Sequence, residues 1–359
     1  MKILIASSGS GGHVFPALAL AEELKVKKRS EVIFLQTNRK ETDKLIKDKG
    51  FNLVASNLDK ISFHSFKNGF ISTFKLLAAA IHSLKIILRI KPSVVVGFGG
   101  YHSGPIIVVA HFLGIPTIVH EQNVLPGKAN YILSRFVDKI AVSFKESEDY
   151  FNSKKVVFTG CPLRSEVTGV SKEESRKKYN FDEDKFTILV MGGSQGSQSI
   201  NSNFLNAVPM IKEKNKIQII HITGIKDYEF ISKEYSKMNI SPLVFAFLEE
   251  IGYAYRLADI IISRSGASTV SEIIALGIPA IIIPYPFVRK HQSLNAKILS
   301  DAGSAILIED EELSAEILKE KISLLMSEKD RILRMKQALN KLQIPNAAEN
   351  LEREVLSLI

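Results

Sequence analysis

Residues 1–13 read MKILIASSGSGGH, and residues 186–197 read FTILVMGGSQGS. Each stretch is a short apolar strand followed by a glycine-rich turn, and a helical pattern comes next in both. A chain that opens both halves in this way reads as two like domains. Outward from the first opening, Val/Ile-rich runs at Lys2–Ala6, Glu31–Leu35, Ser93–Val96, Pro116–Val119 and Lys139–Val142 alternate with helical spacing at Pro16–Lys25 and Glu41–Lys49. Outward from the second, strands are expected at Thr187–Val190, Gln218–Ile222, Leu243–Ala246, Ile260–Ser263 and Ala280–Ile283, with helices at Ser197–Val208, Thr269–Ala275 and Asn295–Ser300. Continuous apolar strands alternating with helices indicate parallel sheets covered on both faces. The fold class is therefore α/β: two Rossmann-like, doubly wound parallel-sheet domains, joined near Gly160–Arg164. The expected domains are residues 1–162 and 163–345. The charged stretch Ser171–Lys185 would be an early helix and loop of the second. The tail, 346–359, has the period of a helix that can pack on either domain, including back on the first.

Composition agrees with this and narrows the chemistry. The 359 residues are 45% hydrophobic and 24% charged, which suits about two well-packed domains and excludes wholesale disorder. The single cysteine, Cys161, excludes an internal disulfide framework and a four-thiolate zinc site, and suggests a reducing, cytosolic compartment. Lys and Arg number 47 against 38 Asp and Glu, a net +9, which favours anionic partners. The first apolar run is far too short for a cleavable signal peptide. The stretch between Lys91 and Glu121 carries no Asp, Glu, Lys or Arg but is broken by Gly97, Gly99, Gly100, Gly104, Pro105, Gly114 and Pro116, so a soluble or peripheral protein is expected.

Three glycine clusters fall at strand ends: 9–12, 97–100 and 192–196. Glycine lets the backbone approach an oxyanion closely, and a helix starting just beyond offers free N–H groups to phosphate. The cofactor fingerprints fail on spacing. Position 14, where a dinucleotide motif needs its third glycine, is Val14, and no GxxxxGK[ST] occurs. A nucleotide bound in another way is expected. His13 ends the first turn at the mouth of the sheet, where a neutral imidazole can take a proton from an attacking hydroxyl; the plainer alternative is a residue that binds phosphate or caps the turn. Residues 264–272, RSGASTVSE, open a helix whose hydroxyls and amides suit a pyrophosphate, with Glu272 one turn in, where it can accept ribose hydroxyls or simply be solvated. No histidine pair has metal-ligand spacing. The acidic runs Asp182–Asp184 and Glu309–Glu312 read as solvated loops, so no metal is expected.

Residues 68–89 form an expected helix with Phe70, Ile71, Phe74, Leu77, Ile81, Leu84 and Leu88 apolar and Lys75, His82, Lys85 and Arg89 on another face. Lys67 and Lys91 extend its basic character. It reads equally as a membrane-surface element for anionic headgroups or as an ordinary surface helix. Nucleic acid is disfavoured, because no aromatic–basic platform accompanies the charge.

Six segments resemble one family in their order and spacing. They are GSGGHVFPALALAEEL (9–24), VVGFGGYHSGP (95–105), PTIVHEQNVLPGKAN (116–130), GCPLR (160–164), VMGGSQGSQSIN (190–201) and SRSGASTVSEIIALGIPAIIIPYP (263–286). The chain resembles the MurG family of peptidoglycan N-acetylglucosaminyltransferases from Met1 to about Ala296. The resemblance implies the GT-B fold, its two domains facing an interdomain cleft. It implies inverting transfer of N-acetylglucosamine from UDP-N-acetylglucosamine (UDP-GlcNAc) to the 4-hydroxyl of the muramoyl sugar in lipid I, forming lipid II. Carried over by position, His13 becomes the leading base and Glu121 its rival. Ser10, Gly11 and Gly12 would cradle the acceptor diphosphate or the donor sugar. Ser194 would contact the donor pyrophosphate, Arg164 would neutralise it, and Ala267, Ser268 and Thr269 would line phosphate and sugar. Glu272 would hold the ribose, Leu248 would meet uracil through its backbone, and Asn123 and Gln292 would face the sugar. No fixed metal or cofactor is implied, though a divalent cation can assist. The implied partners are UDP-GlcNAc, lipid I, the anionic cytoplasmic membrane surface and, with room for them, cell-wall synthesis proteins; the implied location is peripheral, at the cytoplasmic face of the bacterial cell membrane. Two positions depart from the family pattern: His291-Gln292 stands where a Gln-Gln pair is expected, and His102 where an apolar residue is. The competing readings are a UDP-sugar transferase acting on another lipid such as diacylglycerol, a UDP-N-acetylglucosamine 2-epimerase, and a non-enzymatic sugar-nucleotide-binding scaffold.

Overall fold

The computed structural model describes all residues except 27–29, 38–39, 57–68, 102, 194, 239 and 288–290, with side chains left undescribed at 37, 40–41 and 69–75. The chain divides into two compact units, Met1–Arg164 with Asn346–Ile359, and Ser165–Pro345.

The first unit runs β1 (Lys2–Ala6), α1 (Gly11–Val26), β2 (Glu31–Thr37), α2 (Lys40–Asp48), β3 (Asn52–Ser56), α3 (Gly69–Ile90), β4 (Val94–Gly97), α4 (Ser103–Phe112), β5 (Thr117–Glu121), α5 (Lys128–Leu133), β6 (Lys139–Val142) and β7 (Val156–Phe158). Its strands are all parallel, in the order β3-β2-β1-β4-β5-β6-β7. The two-residue period of a strand sends alternate side chains to opposite faces. Ile3 and Ile5 accordingly pack with Val14, Leu18 and Leu24 of α1, whereas Leu4 and Ala6 pack with Ile86, Ile106 and Ile107 of α3 and α4. The C-terminal helix belongs to this unit, where Leu351 and Val355 enter the same core as Ile3 and Ile5.

The second unit runs α6 (Ser165–Thr168), α7 (Lys172–Tyr179), β8 (Phe186–Met191), α8 (Gln198–Ala207), β9 (Ile217–Ile222), α9 (Tyr228–Ser236), β10 (Leu243–Phe245), α10 (Ile251–Leu257), β11 (Ile260–Ser263), α11 (Ala267–Leu276), β12 (Ala280–Ile282), α12 (His291–Asp301), β13 (Ala305–Leu307), α13 (Ala315–Ser327) and α14 (Lys329–Leu342). α15 (Ala347–Leu356) then returns to the first unit. The second sheet is also parallel, in the order β10-β9-β8-β11-β12-β13. Strand order reverses between β1 and β4 in one sheet and between β8 and β11 in the other. Such switch points leave a crevice outside the carboxyl ends of the strands, where ligands bind. The glycine clusters that follow β1, β4 and β8, and the 264–269 turn after β11, all lie at these two places.

β3, β7 and β13 were not expected from the sequence. All three are short sheet edges that are only partly buried. The helix expected at Pro16–Lys25 starts five residues earlier, at Gly11, which puts His13 inside its first turn. In α3 the buried face is Ala79, Ser83, Ile86, Ile87 and Ile90. Leu77 (58% exposed), Ile81 (47%) and Leu88 (59%) point to solvent beside exposed Lys85 and Arg89. The helix is therefore apolar on both sides; Phe70, Ile71 and Phe74 lie outside the described side chains.

Candidate active site

The β1–α1 turn begins with Ser10, whose carbonyl accepts from the amides of His13 and Val14, both at 3.0 Å. Gly11 and Gly12 are the first two helical residues, and amides at such positions have no intrahelical acceptor. His13 is the third, and its ring turns back over the turn. Nδ1 is hydrogen-bonded to Ser8 Oγ and, at 2.9 Å, to Ser10 Oγ. No hydrogen bond reaches Nε2 among the described residues. Burial lowers the His13 pKa to about 4, so the ring is neutral at physiological pH.

The β4–α4 loop closes on this ring. Gly99 and Gly100 adopt φ of +89° and +83°. A Cβ on Gly99 would stand 3.2 Å from His13 Nε2, and one on Gly100 would be 2.6 Å from Ser8 Cβ. Glycine is thus required both by the backbone conformation and by the space. Arg164, at the end of the unit, stacks its guanidinium 3.9 Å from the Phe15 ring centroid, beside the same turn.

Glu121 ends β5 and is 1% exposed. Its Oε1 accepts from the amide of Asn123 at 2.9 Å and from Asn123 Nδ2 at 3.2 Å. Its Oε2 accepts from Gly127 N at 3.0 Å and Asn130 Nδ2 at 2.8 Å. Burial pushes the carboxyl up, against these four bonds, which pull it down. The arrangement holds the 122–127 loop and the start of α5, and it commits the Asn123 side chain to Glu121. Asn130 is a partner that sequence reasoning missed; an Asn nine residues beyond a Glu carries no local signal. Its neighbour His120 is buried, donating from Nε2 to Gly160 O at 3.0 Å while Nδ1 accepts from Gln122 Nε2 at 3.1 Å. Burial lowers this histidine too, to about 4.

In the second unit the β8–α8 loop carries the pyrophosphate candidates; Ser194 lies outside the described residues, as does His102 in the first. A Cβ on Gly196 (φ +76°) would sit 2.1 Å from Thr223 O, so the loop rests directly on the chain that follows β9. A buried network supports that contact. Asn201 Nδ2 donates to Thr223 O and to Asp227 Oδ2, each at 2.8 Å. Its Oδ1 must then accept from His221 Nε2 at 3.1 Å, and His221 Nδ1 accepts from the Tyr235 hydroxyl at 3.0 Å. Burial holds His221 neutral, with its pKa lowered to about 3, and raises Tyr235.

Ala267, Ser268 and Thr269 form the first turn of α11, and Ser268 Oγ has no partner among the described residues. Glu272, one turn on, is buried and accepts the Tyr255 hydroxyl at 2.6 Å on Oε2. Gln292 Oε1 accepts from Tyr285 N at 2.9 Å, which leaves its amide nitrogen as the donor end. Leu248 is half-buried in the β10–α10 connection. Arg264, which in the sequence is only the first letter of a motif, ties the region together. Its guanidinium donates to Ile283 O, Pro284 O, Ser197 Oγ, Ser199 Oγ and, at 2.5 Å, Asp310 Oδ1. Asp310 is therefore no solvated loop residue, contrary to the expectation for 309–312. Its role was hidden because its partner stands 46 residues away.

Helix starts at the switch point of each parallel sheet suit phosphorylated ligands, and in the first unit a neutral imidazole with one engaged nitrogen suits proton transfer, features that fit a group-transfer enzyme. The chain belongs to glycosyltransferase family 28: the family's N-terminal domain matches residues 3–142 and its C-terminal domain residues 187–351. A Halothermothrix orenii relative named UDP-N-acetylglucosamine--N-acetylmuramyl-(pentapeptide) pyrophosphoryl-undecaprenol N-acetylglucosamine transferase is 36% identical, covering 98% of this chain and 97% of its own. A relative of the same name from Caldanaerobacter subterraneus is 39% identical over 94% of each chain. Among solved structures, Acinetobacter baumannii MurG superposes with a TM-score of 0.79 at 28% identity, covering 99% of this chain and all of its own. A Neisseria meningitidis UDP-GlcNAc 2-epimerase, at 15% identity and TM-score 0.71, shares the fold alone.

Proposed function

We propose that this enzyme transfers N-acetylglucosamine from UDP-GlcNAc to the 4-hydroxyl of the N-acetylmuramoyl sugar of lipid I, with inversion, giving lipid II and UDP. The observation that carries the chemistry is the His13 ring, neutral and held by hydroxyls on Nδ1, with no hydrogen bond on Nε2 from the described residues. The acceptor identity rests on the full-length likeness to relatives named for that transfer.

In this scheme His13 Nε2 takes the proton of the acceptor 4-hydroxyl as that oxygen attacks C1 of the donor sugar. The C1–O bond to UDP breaks on the opposite face, so one displacement suffices and no covalent intermediate forms. The leaving diphosphate gathers negative charge. Helix N-termini at α8 and α11 supply amides and dipoles for it, and the family pattern adds Ser194, Ser268, Thr269 and Arg164. Glu272 takes the ribose and Gln292 the sugar; Leu248 meets the uracil. A divalent cation would act on the diphosphate as an assistant. Glu121 serves as the brace of the 122–127 loop, because its oxygens already accept four N–H groups.

Lipid I is anchored in a membrane, and no helix among the described residues is long and apolar enough to cross one. The enzyme docks from the cytoplasmic side through the solvent face of α3, with Phe112, 75% exposed at the end of the adjoining α4, extending the apolar surface.

The deciding assay is transfer of labelled N-acetylglucosamine from UDP to a short-chain lipid I analogue, with diacylglycerol as parallel acceptor. Labelled lipid II is the expected product. Transfer only to diacylglycerol would overturn the acceptor, and binding of UDP-GlcNAc without any transfer would overturn the enzyme reading.

A further inference from the structure

A histidine accepts a proton at Nε2 only if its single ring proton sits on Nδ1. With the opposite tautomer, Nε2–H would donate to the acceptor hydroxyl and hold it without activating it. The partners of the two nitrogens therefore decide whether His13 is a base or only a binding group.

Those partners are unequal. Nδ1 faces two hydroxyl oxygens, Ser8 Oγ and Ser10 Oγ, and no protein acceptor within the described residues faces Nε2. A hydroxyl offers two lone pairs, so both oxygens can accept an Nδ1 proton. No carboxylate is hydrogen-bonded to Nδ1 among the described residues, and Glu121 is engaged with Asn123, Gly127 and Asn130. Of the two serines, Ser10 is exposed, where solvent competes for its hydroxyl. Ser8 is half-buried and backed by the Gly100 backbone, where a Cβ would come within 2.6 Å of Ser8 Cβ and 3.1 Å of its Oγ. Its oxygen also lies 3.4 Å from Ser10 Oγ, to which its hydroxyl can donate a hydrogen bond.

We propose that Ser8 is a positioning residue that fixes His13 in the Nδ1–H tautomer, with Gly100 holding Ser8 in place and Gly99 keeping Nε2 uncovered. This rests on His13 being the base. No bond is made or broken at Ser8; its oxygen accepts the Nδ1–H hydrogen bond in the ground state and keeps it when Nε2 takes up the acceptor's proton.

The test uses the full chain labelled with 15N-histidine, read by long-range 15N–1H correlation at neutral pH. The wild-type His13 should show a protonated Nδ1 and an unprotonated Nε2. Ser8→Ala should show mixed tautomers, with kcat about tenfold lower and the KM for UDP-GlcNAc unchanged; Ser8→Ala with Ser10→Ala should lose about a hundredfold. A wild-type ring protonated on Nε2 overturns the proposal without any variant, so poor folding of Ser8→Ala would not shield it. Ser8→Ala with wild-type tautomer and kcat also overturns it. His13→Gln separates the two levels. If it abolishes turnover while Ser8→Ala is silent, only the positioning role falls; if it turns over normally, the base reading falls with it.

Discussion

The Tyr255 hydroxyl donates to Glu272 Oε2 at 2.6 Å, linking α10 to the first turns of α11 through two side chains 17 positions apart. A buried carboxyl group with one oxygen held by a phenol has a set orientation, which suits the proposed contact with the donor ribose. A hydrogen bond to a charged group contributes about 1.5–3 kcal/mol, and 1.4 kcal/mol is about tenfold in affinity. Tyr255→Phe should therefore raise the KM for UDP-GlcNAc about tenfold with little change in kcat, and Glu272→Ala should raise it further. Steady-state kinetics at saturating acceptor measure both, and an unchanged KM in Tyr255→Phe would remove the phenol from donor binding.

Glu121 gives a prediction of a different kind. Replacing it with Gln sets an NH2 group against donors that now meet a carboxylate oxygen. Each buried group left unsatisfied costs about 1–3 kcal/mol, so Glu121→Gln should lower the thermal midpoint by several degrees. Below that midpoint it should retain far more turnover than His13→Gln. A variant as stable as wild type but inactive would make Glu121 the base instead.

Much of this site could be read along the chain, and the reason is topological. In a parallel doubly wound sheet the ligand loops directly follow their strands, so Ser10–His13, Gly99–Gly100 and 264–272 announce themselves by local spacing. What stayed hidden are the partners contributed from elsewhere: Asn130 for Glu121, Tyr255 for Glu272, and Asp310 for Arg264. Ser8 was hidden differently. It lies inside the motif, but a serine in a glycine turn looks like filler until the ring of His13 folds back on it. Three of the four edge strands, β3, β7 and β13, were missed as short, partly buried segments, whereas the edge strand β10 was expected.

Acid should destabilise the fold through three histidines. His13 and His120 titrate near 4 and His221 near 3, all lowered by burial, whereas an unfolded histidine titrates near 6.5. Between those values the unfolded chain binds more protons, so stability rises with pH from about 3 to 6.5 and levels off above. His120 alone accounts for on the order of 3 kcal/mol of that rise. His120→Gln keeps a donor for Gly160 O but cannot titrate. Its thermal midpoint should fall less between pH 7 and pH 4.5 than that of wild type, and identical slopes would refute the assignment. The same lowered pKa places no acidic limb near 6.5 in the pH–rate profile from His13.

Gly99→Ala tests the access to Nε2. The substitution strains a backbone at φ +89° and sets a methyl 3.2 Å from the ring nitrogen. Turnover should fall about a hundredfold, within the usual contribution of a general base, while UDP-GlcNAc affinity stays near wild type. Calorimetry of donor binding beside kcat makes the comparison. Equal loss of both would mean that the methyl had disrupted more than the base.

Membrane docking should depend more on apolar contact than on charge. Fully burying a Leu or Ile side chain stabilises by about 1.5–3 kcal/mol, whereas each cation near an anionic surface contributes about 1 kcal/mol and is screened by salt. With Leu77, Ile81 and Leu88 exposed beside only Lys85 and Arg89 on the described face of α3, the apolar term is the larger. The wild-type protein should float with anionic vesicles at low salt and remain partly bound at high salt. Leu77→Glu, Ile81→Glu and Leu88→Glu combined should abolish flotation yet leave turnover of a water-soluble short-chain acceptor unchanged. Wild-type protein that stays at the bottom of the gradient at low salt would dismiss α3 as a membrane face.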